Sequence, residues 1–203
     1  MFLEFPVYQA RIVAKLGDGK GDGIWTGYFE KLDTEEEYRI PFVGSFGIED
    51  RLPNTEPACC PLPKRWKVAF NSGEKNTPAI GEFELKGNNV TGSFLTQSGD
   101  YRFLEGKLNG NKLTLFGFDG GYIQVFKATL KNDTLRGTYH SGLTGFKTWT
   151  ATPNDTFQLA DPAGISALNP ALDSISFSYP GINGETVSYN PDAFLQNVVI
   201  LQI

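Results

Sequence analysis

The sequence is poor in the residues that build disulfide frameworks and metal centres. Among 203 residues there are two cysteines, one histidine and one methionine. The cysteines, Cys59 and Cys60, are adjacent, and neighbouring Cα atoms lie about 3.8 Å apart, which is less than the roughly 4.4 Å that a disulfide normally needs. We therefore expect two free thiols in a proline-rich loop, with a redox switch or a metal ligand as the alternatives. A metal site would lack further ligands, and the sequence predicts no metal and no cofactor.

Long apolar runs and clustered positive charge are missing as well. No stretch approaches the roughly 18 apolar residues of a membrane-spanning helix, so the sequence predicts no membrane span. The formal net charge of −5 argues against a nucleic-acid partner, because that interaction needs clustered Lys and Arg. No signal-peptide pattern precedes the strand-like sequence near the start. The sequence leaves the oligomeric state open.

Aromatic and β-branched residues are abundant, and they occur in short segments between turns rich in glycine, asparagine and aspartate. Hydrophobic residues make up 40% and aromatic residues 13% of the chain, which is enough for a real core. Such segments are typical of antiparallel strands joined by tight hairpins. The predicted strands lie near residues 3–16, 23–32, 38–46, 65–72, 79–86, 89–97, 100–108, 112–118, 122–130, 134–140 and 146–152.

A weak internal repeat indicates how these hairpins assemble. Residues 90–94 (VTGSF) are echoed by residues 135–139 (LRGTY) and by residues 25–29 (WTGYF). Each unit is one hairpin with an inward stripe of aromatic or aliphatic side chains. Because closure removes exposed sheet edges, stacked hairpins predict a mostly β fold, an antiparallel up-and-down barrel or a strongly curved sheet. This domain is predicted to span residues 1–152.

The composition changes after residue 152. Residues 153–172 are predicted to form a linker, and residues 173–203 a small β-unit that is too short to fold alone. Its last six residues, 198–203 (VVILQI), predict a strand buried on both faces of a sheet. Such strands normally continue into a loop and a helix, where active sites usually lie. We therefore expect that the chain as given does not carry a complete active site.

Several motifs resemble one bacterial family. They are residues 80–83 (IGEF), 91–106 (TGSFLTQSGDYRFLEG), 115–120 (LFGFDG), 135–142 (LRGTYHSG) and 148–151 (TWTA). Together they are similar to the N-terminal β-domain of TlpA-like, thioredoxin-fold disulfide reductases, and residues 99–106 are the most specific part. The tail after residue 173 resembles the start of the thioredoxin-like domain of that family, as an incomplete thioredoxin-like β-unit.

The resemblance implies the accessory N-terminal module of a cell-envelope thiol-disulfide oxidoreductase. It implies a protein substrate or another partner of the redox domain as the binding partner, and the periplasm or cell envelope as the location. The family's Trp-Cys-x-x-Cys motif, whose first thiol is activated at a helix N-terminus, does not occur in this sequence. Gly121 and Tyr122 stand where a histidine commonly follows the Phe-Asp-Gly motif. As given, the chain is expected to be inactive as a reductase.

Polar and aromatic residues of these motifs are candidates for contact with a ligand or partner. The candidates are Asp100, Tyr101, Arg102, Glu105, Asp119 and Tyr122. On one strand Asp100 and Arg102 would share a face, so the functional interpretation is a polar cluster at a barrel mouth. The alternative is a set of ion pairs that fix hairpin register. No residue is predicted to be catalytic, because His140 and Ser141 point to opposite faces of a strand.

Two other functions are compatible with the sequence. One is a small-molecule-binding barrel of the lipocalin or streptavidin type, in which aromatic side chains line a cavity instead of filling a core. The aromatic candidates are Trp25, Tyr28, Trp66, Tyr101, Phe103, Tyr122 and Trp149. The other is a structural interaction module whose terminal strand pairs with another chain. A filled barrel interior would count against the first of these.

Overall fold

The computed structural model describes residues 1–17, 23–35, 37–45, 47, 51–52, 55–161 and 176–189. It divides into two compact units, residues 1–159 and 160–203. Within the described residues all paired strands are antiparallel. The strands are β1 (Phe2–Phe5), β2 (Ala10–Leu16), β3 (Ile24–Lys31), β4 (Tyr38–Ser45), β5 (Arg65–Ser72), β6 (Lys75–Lys86), β7 (Asn89–Thr96), β8 (Gly99–Asp100), β9 (Leu104–Asn109), β10 (Lys112–Phe118), β11 (Ile123–Lys131), β12 (Thr134–Ser141), β13 (Gly145–Pro153), β14 (Phe177–Pro180) and β15 (Thr186–Tyr189).

Eight strands of the first unit close into a barrel. In the order β5, β6, β7, β9, β10, β11, β12 and β13, each strand pairs with the next, and β13 pairs back with β5. The short strand β8 adds only two residues beside β7. The predicted up-and-down barrel is therefore confirmed, and closure leaves its strands without long free edges.

Apolar side chains fill the interior of the barrel. Along β5, Trp66, Val68 and Phe70 are buried and alternate with the outward-facing Lys67, as the two-residue period of a strand requires. In the middle of the core, the rings of Phe94 and Phe126 stack with their centroids 4.6 Å apart. The interior is therefore a packed core, which counts against a ligand cavity of the lipocalin kind.

Close packing between strands explains why each copy of the internal repeat has a glycine at its third position. A Cβ atom at Gly92 would collide with the backbone carbonyl of Glu82, and one at Gly137 would collide with the carbonyl of Lys127. Glycine is therefore required where neighbouring strands approach this closely and the sheet bends. Gly27 in β3 is placed in the same way against β2.

The barrel strands run between two ends. At the mouth end lie residues 101–103, before β9, and residues 119–122, after β10. At the opposite end, the base, lie the hairpin turns at residues 110–111 and 132–133. Residues 55–63, which we call the strap, precede β5 at the base and hydrogen-bond to its hairpins.

A four-stranded sheet in the order β1, β2, β3, β4 packs against the mouth end. Phe5 and Phe29 each contact Phe118 edge to face, with ring centroids 5.4 and 5.6 Å apart. Within this sheet the buried carboxylate of Glu30 accepts hydrogen bonds from Arg11 and Arg39. The hydrogen bond from Arg39 is the main cause that lowers the pKa of Glu30, so the carboxylate stays charged at neutral pH.

Two of the predicted strands are each broken in the structure. Residues 3–16 form β1 and β2, separated by a 3-10 turn at Pro6–Tyr8 and by Gln9 in a left-handed conformation. Residues 100–108 contain a break between β8 and β9, where Arg102 has a φ of 55°. The expectation that Asp100 and Arg102 share a strand face is therefore wrong. The Asp100 carboxylate instead accepts a hydrogen bond from the Arg102 N–H, at 2.9 Å, and closes a turn.

The second unit contains one hairpin in its described part. Strands β14 and β15 pair with Phe177 opposite Tyr189, and the two rings stack 5.3 Å apart. Residues 162–175 lie outside the described residues. The predicted terminal strand at residues 198–203 lies outside them as well. Among the residues that are described, no helix has the length and apolar character needed to cross a membrane.

Candidate functional site

The structure brings five of the six candidate residues together at the mouth end. Asp100, Tyr101 and Arg102 lie just before β9, and Asp119 and Tyr122 follow β10. Because β9 and β10 are antiparallel neighbours, the start of one and the end of the other meet at the same edge of the barrel. We call these five residues the mouth cluster.

The carboxylate of Asp119 organises the second mouth loop. Its Oδ1 accepts hydrogen bonds from the backbone N–H groups of Gly121 and Tyr122, at 2.9 and 2.8 Å. Its Oδ2 lies 3.5 Å from Nε of Arg102. The Asp119 side chain is 18% exposed, whereas that of Arg102 is 68% exposed. The carboxylate thus holds the loop, and the guanidinium is presented to solvent.

Tyr101 forms the top layer of the barrel core. Its ring lies 5.5 Å from that of Phe126 and 5.4 Å from that of Tyr139. Its hydroxyl lies 3.5 Å from Nζ of Lys147. Burial raises the pKa of Tyr101, so the phenol is neutral at physiological pH and serves as a hydrogen-bonding group instead of a base.

A cleft of about 330 Å³ opens between the two mouth loops. Phe103, Phe118 and Tyr122 beside it are all exposed. Aromatic residues and arginine are enriched at protein–protein interfaces relative to the rest of the surface. The lining residues are Tyr101, Arg102, Phe103, Gly117, Phe118, Asp119, Tyr122 and Gln124.

Gln124 and Phe118 are cleft residues that the sequence analysis did not identify. The Oε1 atom of Gln124 is buried and has no hydrogen-bond partner, so an unsatisfied acceptor lies behind the cleft wall. Gln124 lies on the same face of β11 as the buried Phe126. The sequence signal that could have identified Gln124 is therefore a polar residue at an inward-facing position near the end of a strand. Phe118 ends β10 with its ring exposed to the cleft.

Two of the predicted site residues do not line the cleft. Asp100 shapes the turn through its hydrogen bond to the Arg102 N–H. Glu105 lies on the side of the barrel, where it pairs with Arg51 at 3.0 Å beside a separate cleft of about 390 Å³. Both partners of that pair are exposed, so it contributes about 0–1 kcal/mol at most. The structure therefore does not place Glu105 with the mouth cluster.

The other aromatic candidates are used for packing. Trp66 and Trp149 are buried in the barrel core, and each indole N–H donates to a backbone carbonyl, Pro63 for one and Thr138 for the other. Tyr28 lies in the four-stranded sheet, with the guanidinium of Arg39 4.6 Å from its ring centre. These contacts leave no role for the rings as the lining of an internal cavity.

The described residues contain no place where three His, Cys, Asp or Glu side chains converge as a metal site requires. His140 is exposed and its ring packs 5.1 Å from that of Phe146.

Comparison with known proteins found no relative. Searches of protein-family models, of curated proteins and of solved structures gave no match to this chain. The mouth cluster and the motif resemblance are therefore the basis for a functional proposal.

Proposed function

We propose that this chain is the accessory N-terminal module of a TlpA-like thiol-disulfide oxidoreductase of the cell envelope. Its role is to bind protein, either the redox domain or the protein substrate of that domain, at the barrel mouth. The observation that carries the proposal is the cleft itself. Two separate motifs that resemble the family, residues 99–106 and 115–120, meet there and supply most of its lining.

The chemistry of the cleft suits binding better than catalysis. The Asp119 carboxylate is occupied by two backbone N–H groups and by Arg102, so it is not free to act as a general base. The raised pKa of Tyr101 keeps its phenol protonated at neutral pH, so this group is not available as a base either. What the cleft offers to a partner is the Arg102 guanidinium for a carboxylate and exposed aromatic area.

The barrel interior supports surface docking over enclosure of a small molecule. Phe70 lies 5.2 Å from Phe94 and 6.4 Å from Trp149, between ring centroids. Rings at these separations are in packing contact. A partner therefore has to bind on the outside, and the mouth is where exposed apolar and charged groups coincide.

Nuclear magnetic resonance can test the docking. The full chain, labelled with ¹⁵N and carrying C59S and C60S to silence its thiols, is titrated separately with two probes. One probe is a TlpA-like redox domain with both active-site cysteines replaced by serine, and the other is insulin, a disulfide-bearing protein. We expect amide shifts in residues 101–103 and 119–122 with at least one probe.

The base of the same barrel is the internal control for this titration. Residues 110–111 and 132–133 should not shift, and the Arg102→Ala/Tyr122→Ala variant should abolish the mouth shifts while its spectrum stays folded. Lys112→Ala, on an exposed side chain at the base, is the matched control and should leave them unchanged. Equal shifts at both ends, or no shifts with either probe, would contradict the docking proposal.

The family part of the proposal has a separate test in the gene. Reading the coding frame on the 3′ side of the codon for Ile203 shows whether a Trp-Cys-x-x-Cys motif follows. Its presence supports the assignment to a thiol-disulfide oxidoreductase, and a frame that extends into an unrelated domain would contradict it.

A further inference from the structure

The two cysteines lie at the base of the barrel, at the opposite end from the mouth cleft. Cys59 and Cys60 are both free and exposed, and their Sγ atoms are 3.0 Å apart. They belong to the strap, which is held on the hairpins of the base. The sequence contains no other cysteine, so all thiol chemistry of this chain takes place there.

The strap presents the two thiols from a fixed platform. On one side of them, the Ala58 N–H donates to the Asn88 side chain at 3.3 Å, and the Cys59 N–H donates to the Gly110 carbonyl at 2.9 Å. On the other side, Leu62 is buried in the barrel core. Both thiols lie between these anchors and are exposed, so they are accessible although their backbone is held.

The two sulfurs are not equivalent. The hydrogen bond with Cys59, followed by partial burial and the nearby negative charges of Cys59 and Asp133, raises the pKa of Cys60 to about 11. Cys60 therefore keeps its proton at neutral pH. We accordingly assign the attack on an external electrophile to Cys59 and the resolving step to Cys60.

We propose that Cys59 and Cys60 form a thiol-disulfide exchange site that accepts oxidation from a strongly oxidising, accessible disulfide. In the first step the Cys59 thiolate attacks one sulfur of the partner disulfide, forms a mixed disulfide, and releases one partner thiol. In the second step Cys60 loses its proton and attacks the Cys59 sulfur, which forms the Cys59–Cys60 bond and releases the second partner thiol. Two electrons and two protons pass from the pair to the partner.

The adjacency of the cysteines sets the direction of this exchange. Their Cα atoms are about 3.8 Å apart, below the usual disulfide range, so the closed pair is strained. Strained disulfides have more oxidising potentials and are the labile ones. An ordinary structural disulfide therefore does not oxidise the pair, and a protein dithiol reduces it again, which is the behaviour of a reversible relay.

Glutathione disulfide is a suitable probe for the full-length chain. The reduced protein is incubated with it, quenched with acid, treated with N-ethylmaleimide to mark the remaining thiols, and examined by intact mass and peptide mapping. We expect the wild-type chain to lose two hydrogens and to take up no maleimide. The Cys60→Ser variant should instead accumulate one glutathione adduct, on Cys59. A wild-type adduct that persists as long as that of the variant, or no reaction in either, would overturn the proposal.

A length variant tests the strain. Insertion of one alanine between Cys59 and Cys60 lengthens the bridge, and in glutathione redox buffers it should become half-oxidised at a disulfide-to-thiol ratio at least about tenfold lower than the wild type. Circular dichroism and thermal unfolding confirm that both proteins are folded. Equal ratios for the two proteins would refute the reversible-relay part. The outcome is independent of the mouth, because Arg102→Ala/Tyr122→Ala should exchange as the wild type does.

Discussion

The two ends of the barrel are closed by different chemistry. At the base, Asn109 accepts the Thr55 and Glu56 N–H groups at 3.2 and 2.7 Å and donates to the Thr55 hydroxyl. Asn88 accepts and donates in the same manner, and Leu62 seals the core. At the mouth, by contrast, Gln124 keeps a buried oxygen without a partner and aromatic rings stand exposed.

Under the proposed function, this difference separates stabilising from binding roles within one scaffold. The side-chain amides at the base satisfy backbone groups that would otherwise be unpaired, which is what a stable closure requires. Arg102 at the mouth has a φ of 55°, a conformation that costs a residue with a Cβ about 1–2 kcal/mol. Asn132 and Asp133 in a turn of the base also have positive φ, but Asn and Asp tolerate this conformation better than arginine does, so the costlier case lies at the mouth.

The largest effect is expected from Leu62→Ala. Removing this buried side chain leaves a cavity under the strap and should lower the free energy of unfolding by about 2–4 kcal/mol. Urea denaturation measures the change. Leu143→Ala, on an exposed leucine of a mouth turn, is the matched control and should stay within about 0.5 kcal/mol. Equal effects of the two substitutions would show that the base is not the stabilising end.

Gly121→Ala should have the next largest effect, at the mouth. The added Cβ would collide with the Tyr8 ring, and overpacking of this kind costs about 1–3 kcal/mol. Thermal unfolding of the single variant and of Gly121→Ala/Tyr8→Ala separates the causes. If the collision is responsible, the glycine substitution should cost less than about 0.5 kcal/mol in the Tyr8→Ala background. An undiminished cost there would place the strain elsewhere.

Asn109→Ala is expected to cost about 1 kcal/mol, because its three hydrogen bonds are solvent-exposed and their net contribution is small. It should also release one side of the strap and raise the rate at which a maleimide reacts with the cysteines. Urea denaturation and a thiol-modification time course measure the two effects. Lys112→Ala, close to the same hairpin turn, serves as the control. An unchanged reaction rate would mean that Asn109 does not restrain the strap.

Arg102→Gly should change stability by less than about 1 kcal/mol, and the change should be an increase. Glycine relieves the left-handed strain, and its own conformational entropy offsets part of that gain. Docking at the mouth should nevertheless be lost, because the guanidinium is gone. Urea denaturation and the resonance titration described above give both readouts. A variant that is clearly less stable would assign Arg102 a structural role.

The smallest effect concerns pH at the base. Because the pKa of Cys60 is raised to about 11 from 9.0, the folded chain holds this proton more tightly than the unfolded chain does. The resulting stabilisation is present below about pH 9 and is lost as the pH rises through about 11. Cys59→Ser removes the neighbouring thiol, so alkylation of Cys60 should begin at lower pH than in the wild type. An unshifted pH profile would contradict the coupling of the two thiols.

Much of the barrel could be predicted from the sequence because each hairpin is defined locally. The predicted strands at 65–72 and 112–118 coincide with β5 and β10, since alternating apolar residues end at clear turn residues. The breaks at Gln9 and Arg102 escaped prediction, because tyrosine, arginine and phenylalanine fit a strand as well as a turn. At these two positions, the contacts of the folded chain determine whether the backbone continues as a strand or forms a turn.

The mouth cluster was predicted in part for a similar reason. Asp119 lies in a turn motif, and the turn places it correctly. Glu105 was grouped with it because both belong to family-like motifs, but alternation along β9 puts its side chain on the outer face. Gln124 lies outside every family-like motif. Whether its side-chain oxygen finds a hydrogen-bond partner depends on the arrangement of neighbouring strands. A sequence motif is enough to predict where a loop lies. The direction in which a side chain points can be predicted only when the register of its strand is known.

The pairing of the first and last barrel strands has a mechanical consequence. β5 begins and β13 ends at the base, with Trp66 opposite Pro153, so the chain enters and leaves the barrel side by side. Tension applied at these two points loads the seam one hydrogen bond at a time, as in opening a zipper, instead of shearing all the bonds together. Since forced unfolding follows the rate of the first opening event, single-molecule pulling across the seam should open this well-packed barrel at low force.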